Sequence, residues 1–91
     1  MIKYLFIIDS NNSDLHNNLG IAYCETGQYE KAIDVYKKAV QMDPYFIDAY
    51  NNCGIAYARK GDKVNALEQW NIALKINPNY KNAFLNIQKL K

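Results

Sequence analysis

Residues 14–44 read DLHNNLGIAYCETGQYEKAIDVYKKAVQMDP, and residues 48–78 read DAYNNCGIAYARKGDKVNALEQWNIALKINP. The two stretches align when the sequence is shifted by 34 residues, and 11 of the 31 aligned positions are identical. The identical residues of the first stretch are Asp14, Asn17, Asn18, Gly20, Ile21, Ala22, Tyr23, Gly27, Ala32, Ala39 and Pro44. A fixed period of this length is typical of repeat proteins, in which each unit buries its apolar face against the next.

Each unit predicts two helices. The first apolar stripe follows helical spacing and consists of Leu15, Leu19, Ala22 and Tyr23, and the second consists of Ala32, Ile33, Tyr36, Ala39 and Val40. Gly27 lies between the stripes, at a position suited to a left-handed helix end, and Pro44 follows the second stripe, where proline ends a helix. In the second unit, Asp62 is placed to cap the fourth helix.

The two units resemble the tetratricopeptide repeat. The matching residues are Leu19-Gly20-x2-Tyr23, Gly27, Ala32, Tyr36, Ala39 and Pro44 in the first, and Cys53-Gly54-x2-Tyr57, Gly61, Ala66, Trp70, Ala73 and Pro78 in the second. The sequence departs from the family at His16 and Tyr50, where a first large aromatic residue is expected, and at Cys53, where leucine is expected. The resemblance implies an all-α fold, a right-handed superhelical stack of antiparallel helix pairs with two full repeats and a C-terminal capping helix.

The register divides the chain into four parts. Residues 13–46 are predicted to be the first repeat, residues 47–80 the second, and residues 81–91 a capping helix whose outer face is polar. Residues 1–12 are an apolar segment that is either the remnant helix of a preceding repeat or an extended arm. With 91 residues the chain forms one domain with a small core.

Composition excludes several classes of protein. A net charge of +2 does not favour nucleic acid binding, and no apolar run is long enough to cross a membrane. The charge is uneven, since residues 1–58 carry four Lys against seven acids (−3), whereas residues 59–91 carry seven Lys and Arg against two acids (+5). This gradient could steer an acidic ligand toward the C-terminal half. Two isolated cysteines fit a reducing compartment and predict a cytoplasmic protein.

The sequence offers little for catalysis. His16 occupies a packing position and has no nucleophile in a recognisable motif beside it. Cys53 is expected in the core, and Cys24 is expected to be an inert thiol unless it is exposed. Acidic residues are scattered singly, so neither a metal site nor a cofactor is predicted, and we expect the chain not to be an enzyme.

The resemblance implies a concave surface lined by the first helix of each pair. Helical spacing predicts that this groove is formed by Asn17, Asn18, Ile21, Cys24, Glu25, Asn51, Asn52, Ile55, Ala58, Arg59 and Asn86. Asn18, Asn52 and Asn86 recur every 34 residues, and such a column either pairs with the backbone of a bound peptide or bonds to the adjacent hairpin. The carboxylate clamp known in the family is mostly missing, because Asn82 and Asn86 stand where its last two cations should be.

The sequence therefore predicts a non-catalytic scaffold that binds a protein or peptide ligand, as a peptide or helix in the groove. Two alternatives stay open. The apolar ends could build a homodimer through the terminal helices, or the chain could be an accessory repeat segment of a larger protein.

Overall fold

The computed structural model describes residues 12–91, which form five helices. The helices are α1 (Ser13–Glu25), α2 (Tyr29–Met42), α3 (Ile47–Lys60), α4 (Lys63–Ile76) and α5 (Lys81–Leu90). The interpretation of residues 1–12 as a remnant helix or arm lies outside these residues, except for Asn12.

The helix ends follow the predicted chemistry. Gly27 and Gly61 follow α1 and α3 with φ of 79° and 99°, a left-handed conformation that side chains with a Cβ rarely adopt. At the start of α4, the Asp62 carboxylate accepts a hydrogen bond from the Asn65 backbone N–H at 3.1 Å, which confirms the predicted cap. On α1 the cap is Asn12, whose side-chain oxygen accepts from the Asp14 N–H at 2.8 Å.

Each hairpin closes around one glycine and one aromatic ring. A Cβ on Gly20 would lie within 2.7 Å of Tyr36 ring atoms, and a Cβ on Gly54 within 2.7 Å of Trp70 Cδ1. The ring therefore packs directly on the backbone of the facing helix. Trp70 is 2% exposed, and its indole N–H donates to the Asn51 carbonyl oxygen at 3.1 Å, so its one polar group is satisfied.

The hairpins stack in chain order. Helix α1 packs against α2 and α3 against α4, while α2 packs against α3 and α4 against α5. Helices α1, α3 and α5 also contact one another in sequence, so they lie side by side along one face of the stack. This all-helical stack of hairpins confirms the predicted fold class and brings the predicted groove residues to one surface.

The apolar stripe of α1 is not buried as expected. Leu15 is 53% exposed and Leu19 is 40% exposed, although Ala49 and Cys53, their equivalents on α3, are buried. The difference arises because α2 covers this face of α3, whereas no helix among residues 12–91 precedes α1. Repetition predicts a stripe on each first helix but buries it only where a preceding hairpin is present.

The outer face of α5 also differs from the prediction of a polar cap. Ala83 is fully buried against the stack, but Phe84 and Leu85 are 52% and 50% exposed beside polar residues. Both ends of the described stack therefore present large apolar side chains to solvent.

Candidate ligand-binding groove

A groove runs across α1, α3 and α5 as two adjoining depressions. The first, of about 210 Å3, is lined by Ile21, Cys24, Glu25, Tyr36, Asn52, Ile55 and Arg59. The second, of about 410 Å3, is lined by Ile55, Ala58, Arg59, Trp70, Asn86, Lys89 and Leu90. Ile55 and Arg59 line both depressions and form the boundary between them.

The structure brings most of the predicted groove residues together. The predicted residues that line these depressions are Ile21, Cys24, Glu25, Asn52, Ile55, Ala58, Arg59 and Asn86. They come from the turns of α1, α3 and α5 that face away from the second helices of the hairpins. Binding of a ligand by these side chains stays a prediction.

The placement of Asn17, Asn51 and Asn18 in the groove was wrong. Asn17 and Asn51 are only 9% and 5% exposed, because the next hairpin packs over them. Their side-chain oxygens accept hydrogen bonds from the amides of Asn52 (3.1 Å) and Asn86 (2.9 Å), respectively. Asn18 is exposed but lines neither depression.

These bonds define how the asparagine column is used. Asn52 and Asn86 each donate to the preceding unit, which is the second of the two interpretations that the sequence left open. One donor of each side-chain amide is therefore engaged in joining hairpins. Both residues still line the groove, but they are fixed in orientation by this structural bond.

Four groove residues escaped the sequence prediction. Tyr36 and Trp70 reach the base of the groove from α2 and α4, although they are almost fully buried. Lys89 and Leu90 lie at the end of α5. Extending the period of 34 from Ile55 would have found Lys89, whereas nothing in the spacing shows that a second-helix ring reaches between two first helices.

The two thiols are held neutral. Burial raises the pKa of Cys24 despite a hydrogen bond with Tyr36 and the nearby charge of Arg59. Burial raises the pKa of Cys53 to about 12. A thiol in this state is a poor nucleophile near neutral pH, so both cysteines behave as core residues.

Other chemistry is sparse in the part of the chain that the structure describes. His16 is half-buried, and its Nδ1 atom is buried without a hydrogen-bond partner. Within residues 12–91, no three His, Cys, Asp or Glu side chains cluster in a way that could hold a metal ion. None of the helices there has the length and apolar character needed to cross a membrane.

Known sequence families match along most of the chain. Residues 5–34 and 47–80 each match a tetratricopeptide repeat, and residues 22–61 match a TPR repeat. The chain belongs to the tetratricopeptide repeat family. Among curated proteins, none matches the sequence of this tetratricopeptide repeat protein.

Solved structures of other tetratricopeptide repeat proteins superpose closely. YrrB, described as a TPR protein with an unusual peptide-binding site, is 25% identical with a TM-score of 0.85, over 88% of this chain and 41% of its own. The second TPR domain of human RPAP3, in complex with the HSP70 peptide SGPTIEEVD, is 26% identical with a TM-score of 0.84, over 89% and 68%. The first TPR of Spaghetti (RPAP3), bound to the HSP90 peptide SRMEEVD, is 32% identical with a TM-score of 0.79, over 84% and 60%.

Two consequences follow from these comparisons. The family and these neighbours are non-enzymatic protein-interaction modules, which agrees with the prediction that the chain is not an enzyme. The chain spans about two fifths of the length of YrrB. What a longer protein of this kind does as a whole is therefore a separate matter from what these repeats do.

Proposed function

We propose that this tetratricopeptide repeat protein is a scaffold that binds a peptide or helix of a partner protein in the groove across α1, α3 and α5. The observation that carries the proposal is the row of accessible aliphatic and polar side chains on three successive first helices, from Ile21 through Ile55 to Leu90. Such an extended concave face is the surface that helical solenoids use for ligands. The peptide complexes of both RPAP3 domains support the assignment at the level of ligand class.

The groove has features of a peptide site rather than of an enzyme cleft. Its walls are aliphatic, its polar groups are amides and exposed charges, and its two thiols are neutral. Amides that both donate and accept can bond to the backbone of an extended segment, while the aliphatic walls hold alternate side chains.

A pair of matched substitutions tests the proposal. Random peptides displayed on phage are selected on the full chain and then measured on Ile21→Glu and Val64→Glu. Ile21 lies in the groove, whereas Val64 is 78% exposed on α4, outside it. We expect Ile21→Glu to weaken the selected peptides by about tenfold, because a contact residue becomes charged, and Val64→Glu to leave them unchanged. Equal effects of the two substitutions would argue against groove binding.

Self-association is a second candidate function. It is favoured by the exposed apolar residues at both ends of the stack, Leu15 and Leu19 on α1 and Phe84 and Leu85 on α5. Sedimentation equilibrium of the full chain tests it. A concentration-dependent dimer that is lost in Leu15→Ser with Leu19→Ser would support it, and a monomer at every concentration would remove it.

A further inference from the structure

The larger depression of the groove carries an unbalanced positive charge. It lies between α3 and α5, and its rim contains Arg59 and Lys89, both exposed. Among the described residues, the ion pair within bonding distance joins Lys60 to Glu30, so no described carboxylate neutralises Arg59 or Lys89. No acidic side chain lines this depression.

The charge changes sign along the groove. Glu25 and Arg59 are 34 residues apart and occupy the same position at the ends of α1 and α3. The α1 end of the groove is therefore acidic and the α5 end basic, in the same direction as the charge gradient of the whole sequence. A bound segment would be oriented by this field.

The floor between the two cations is apolar. Ile55, Trp70 and Leu90 line it, and its volume of about 410 Å3 falls in the range of sites that hold small ligands. A carboxylate at the rim and an aliphatic side chain on the floor would therefore be satisfied together. The cations are not those of the family's carboxylate clamp, because its last two cation positions are occupied here by Asn82 and Asn86.

We propose that this depression binds an acidic side chain next to an aliphatic one in a protein segment, with Arg59 and Lys89 binding the carboxylate. The proposal rests on the proposed function and adds the chemistry and direction of the ligand. The acidic part of the segment lies at the α5 end, and the end near Glu25 is neutral or basic.

The test uses the same displayed random peptides. Selection on the full chain is expected to enrich Asp or Glu beside an aliphatic residue, and selection on Arg59→Glu with Lys89→Glu is expected to lose that enrichment in favour of Lys or Arg. The control is Lys81→Glu, which changes the charge of α5 outside this depression. Melting temperatures identify any variant that fails to fold.

One selected peptide then gives the coupling. Arg59→Ala and Lys89→Ala are each expected to weaken it by about two- to fivefold, as for exposed ion pairs, and neither should weaken a version with Gln in place of the acid. A C-terminally amidated version is expected to bind equally well, because the carboxylate is that of a side chain.

The outcomes separate the two proposals. If no peptide is enriched, the proposed function fails. If peptides bind the groove without an acidic preference, need a free C-terminus, or lose affinity equally in Lys81→Ala, the proposed function stands and this inference is overturned. Competition by single-stranded RNA that depends on Arg59 and Lys89 and exceeds every acidic peptide would also overturn it.

Discussion

The side-chain amide of Asn86 on α5 donates a hydrogen bond to the side-chain oxygen of Asn51 on α3 at 2.9 Å. The backbone oxygen of the same Asn51 accepts from the Trp70 indole N–H at 3.1 Å. One buried residue thus connects its own hairpin to the next helix. The Asn52–Asn17 bond at 3.1 Å repeats the side-chain part of this arrangement one unit earlier.

Removing the acceptor should loosen the attachment of α5. We expect Asn51→Ala to lower the free energy of unfolding by about 1 to 2 kcal/mol, because the Asn86 amide loses its partner in a half-buried site. Urea denaturation measures the change. The matched control is Asn18→Ala, which is exposed and should change stability by less than about 0.5 kcal/mol. Equal losses in the two variants would contradict the structural role of Asn51.

The contact between Gly54 and Trp70 predicts a change of sign in a double-mutant cycle. In the wild-type background, Gly54→Ala should destabilise by about 1 kcal/mol or more, because the new Cβ displaces the indole and its bond to Asn51. In a Trp70→Leu background the same change should be neutral or stabilising, because alanine favours a helix by about 1 kcal/mol over glycine. Thermal unfolding of the four proteins gives the coupling. Equal effects in both backgrounds would show that the indole does not limit this position.

The cap on α4 predicts a pH dependence. Hydrogen bonds from Asn65 lower the pKa of Asp62 below its usual value. A carboxyl whose pKa is lower in the folded protein stabilises the fold fully above the unfolded pKa of about 3.9, and this stabilisation disappears as the pH falls through the folded pKa. Asp62→Ala should therefore lower the melting temperature at neutral pH, with a difference that shrinks in acid. The control is Asp34→Ala on the exposed side of α2, and a constant difference for Asp62→Ala across this range would contradict the prediction.

The thiols give a chemical measure of the core. Because burial raises the pKa of both Cys24 and Cys53, we expect neither to react with iodoacetamide in the folded protein, and both to react after denaturation. A cysteine introduced at the exposed position Ala22 serves as the reactive control. Labelling of Cys24 as fast as that of the introduced cysteine would show that the groove floor is more open than described.

Much of this architecture can be predicted from the sequence because repetition constrains it twice. Gly20 and Gly54 recur at the same position and face Tyr36 and Trp70, so the close approach of the helices follows from residue type. The groove is less predictable. Helical spacing places Asn51 and Asn52 on adjacent faces, but which one is buried depends on how far the next hairpin reaches over α3. Leu15 and Leu19 look like core residues for the same reason, since a stripe does not indicate whether a neighbour covers it.

The most direct test of the account is the location of a bound peptide. The full chain, labelled with 15N, is titrated with a peptide selected from the random library, and amide chemical shifts are followed by NMR. The account predicts the largest changes at Ile21, Ile55 and Arg59, with little change around Val64 on α4. Saturating changes centred on Val64, with Ile21 and Ile55 unaffected, would contradict it.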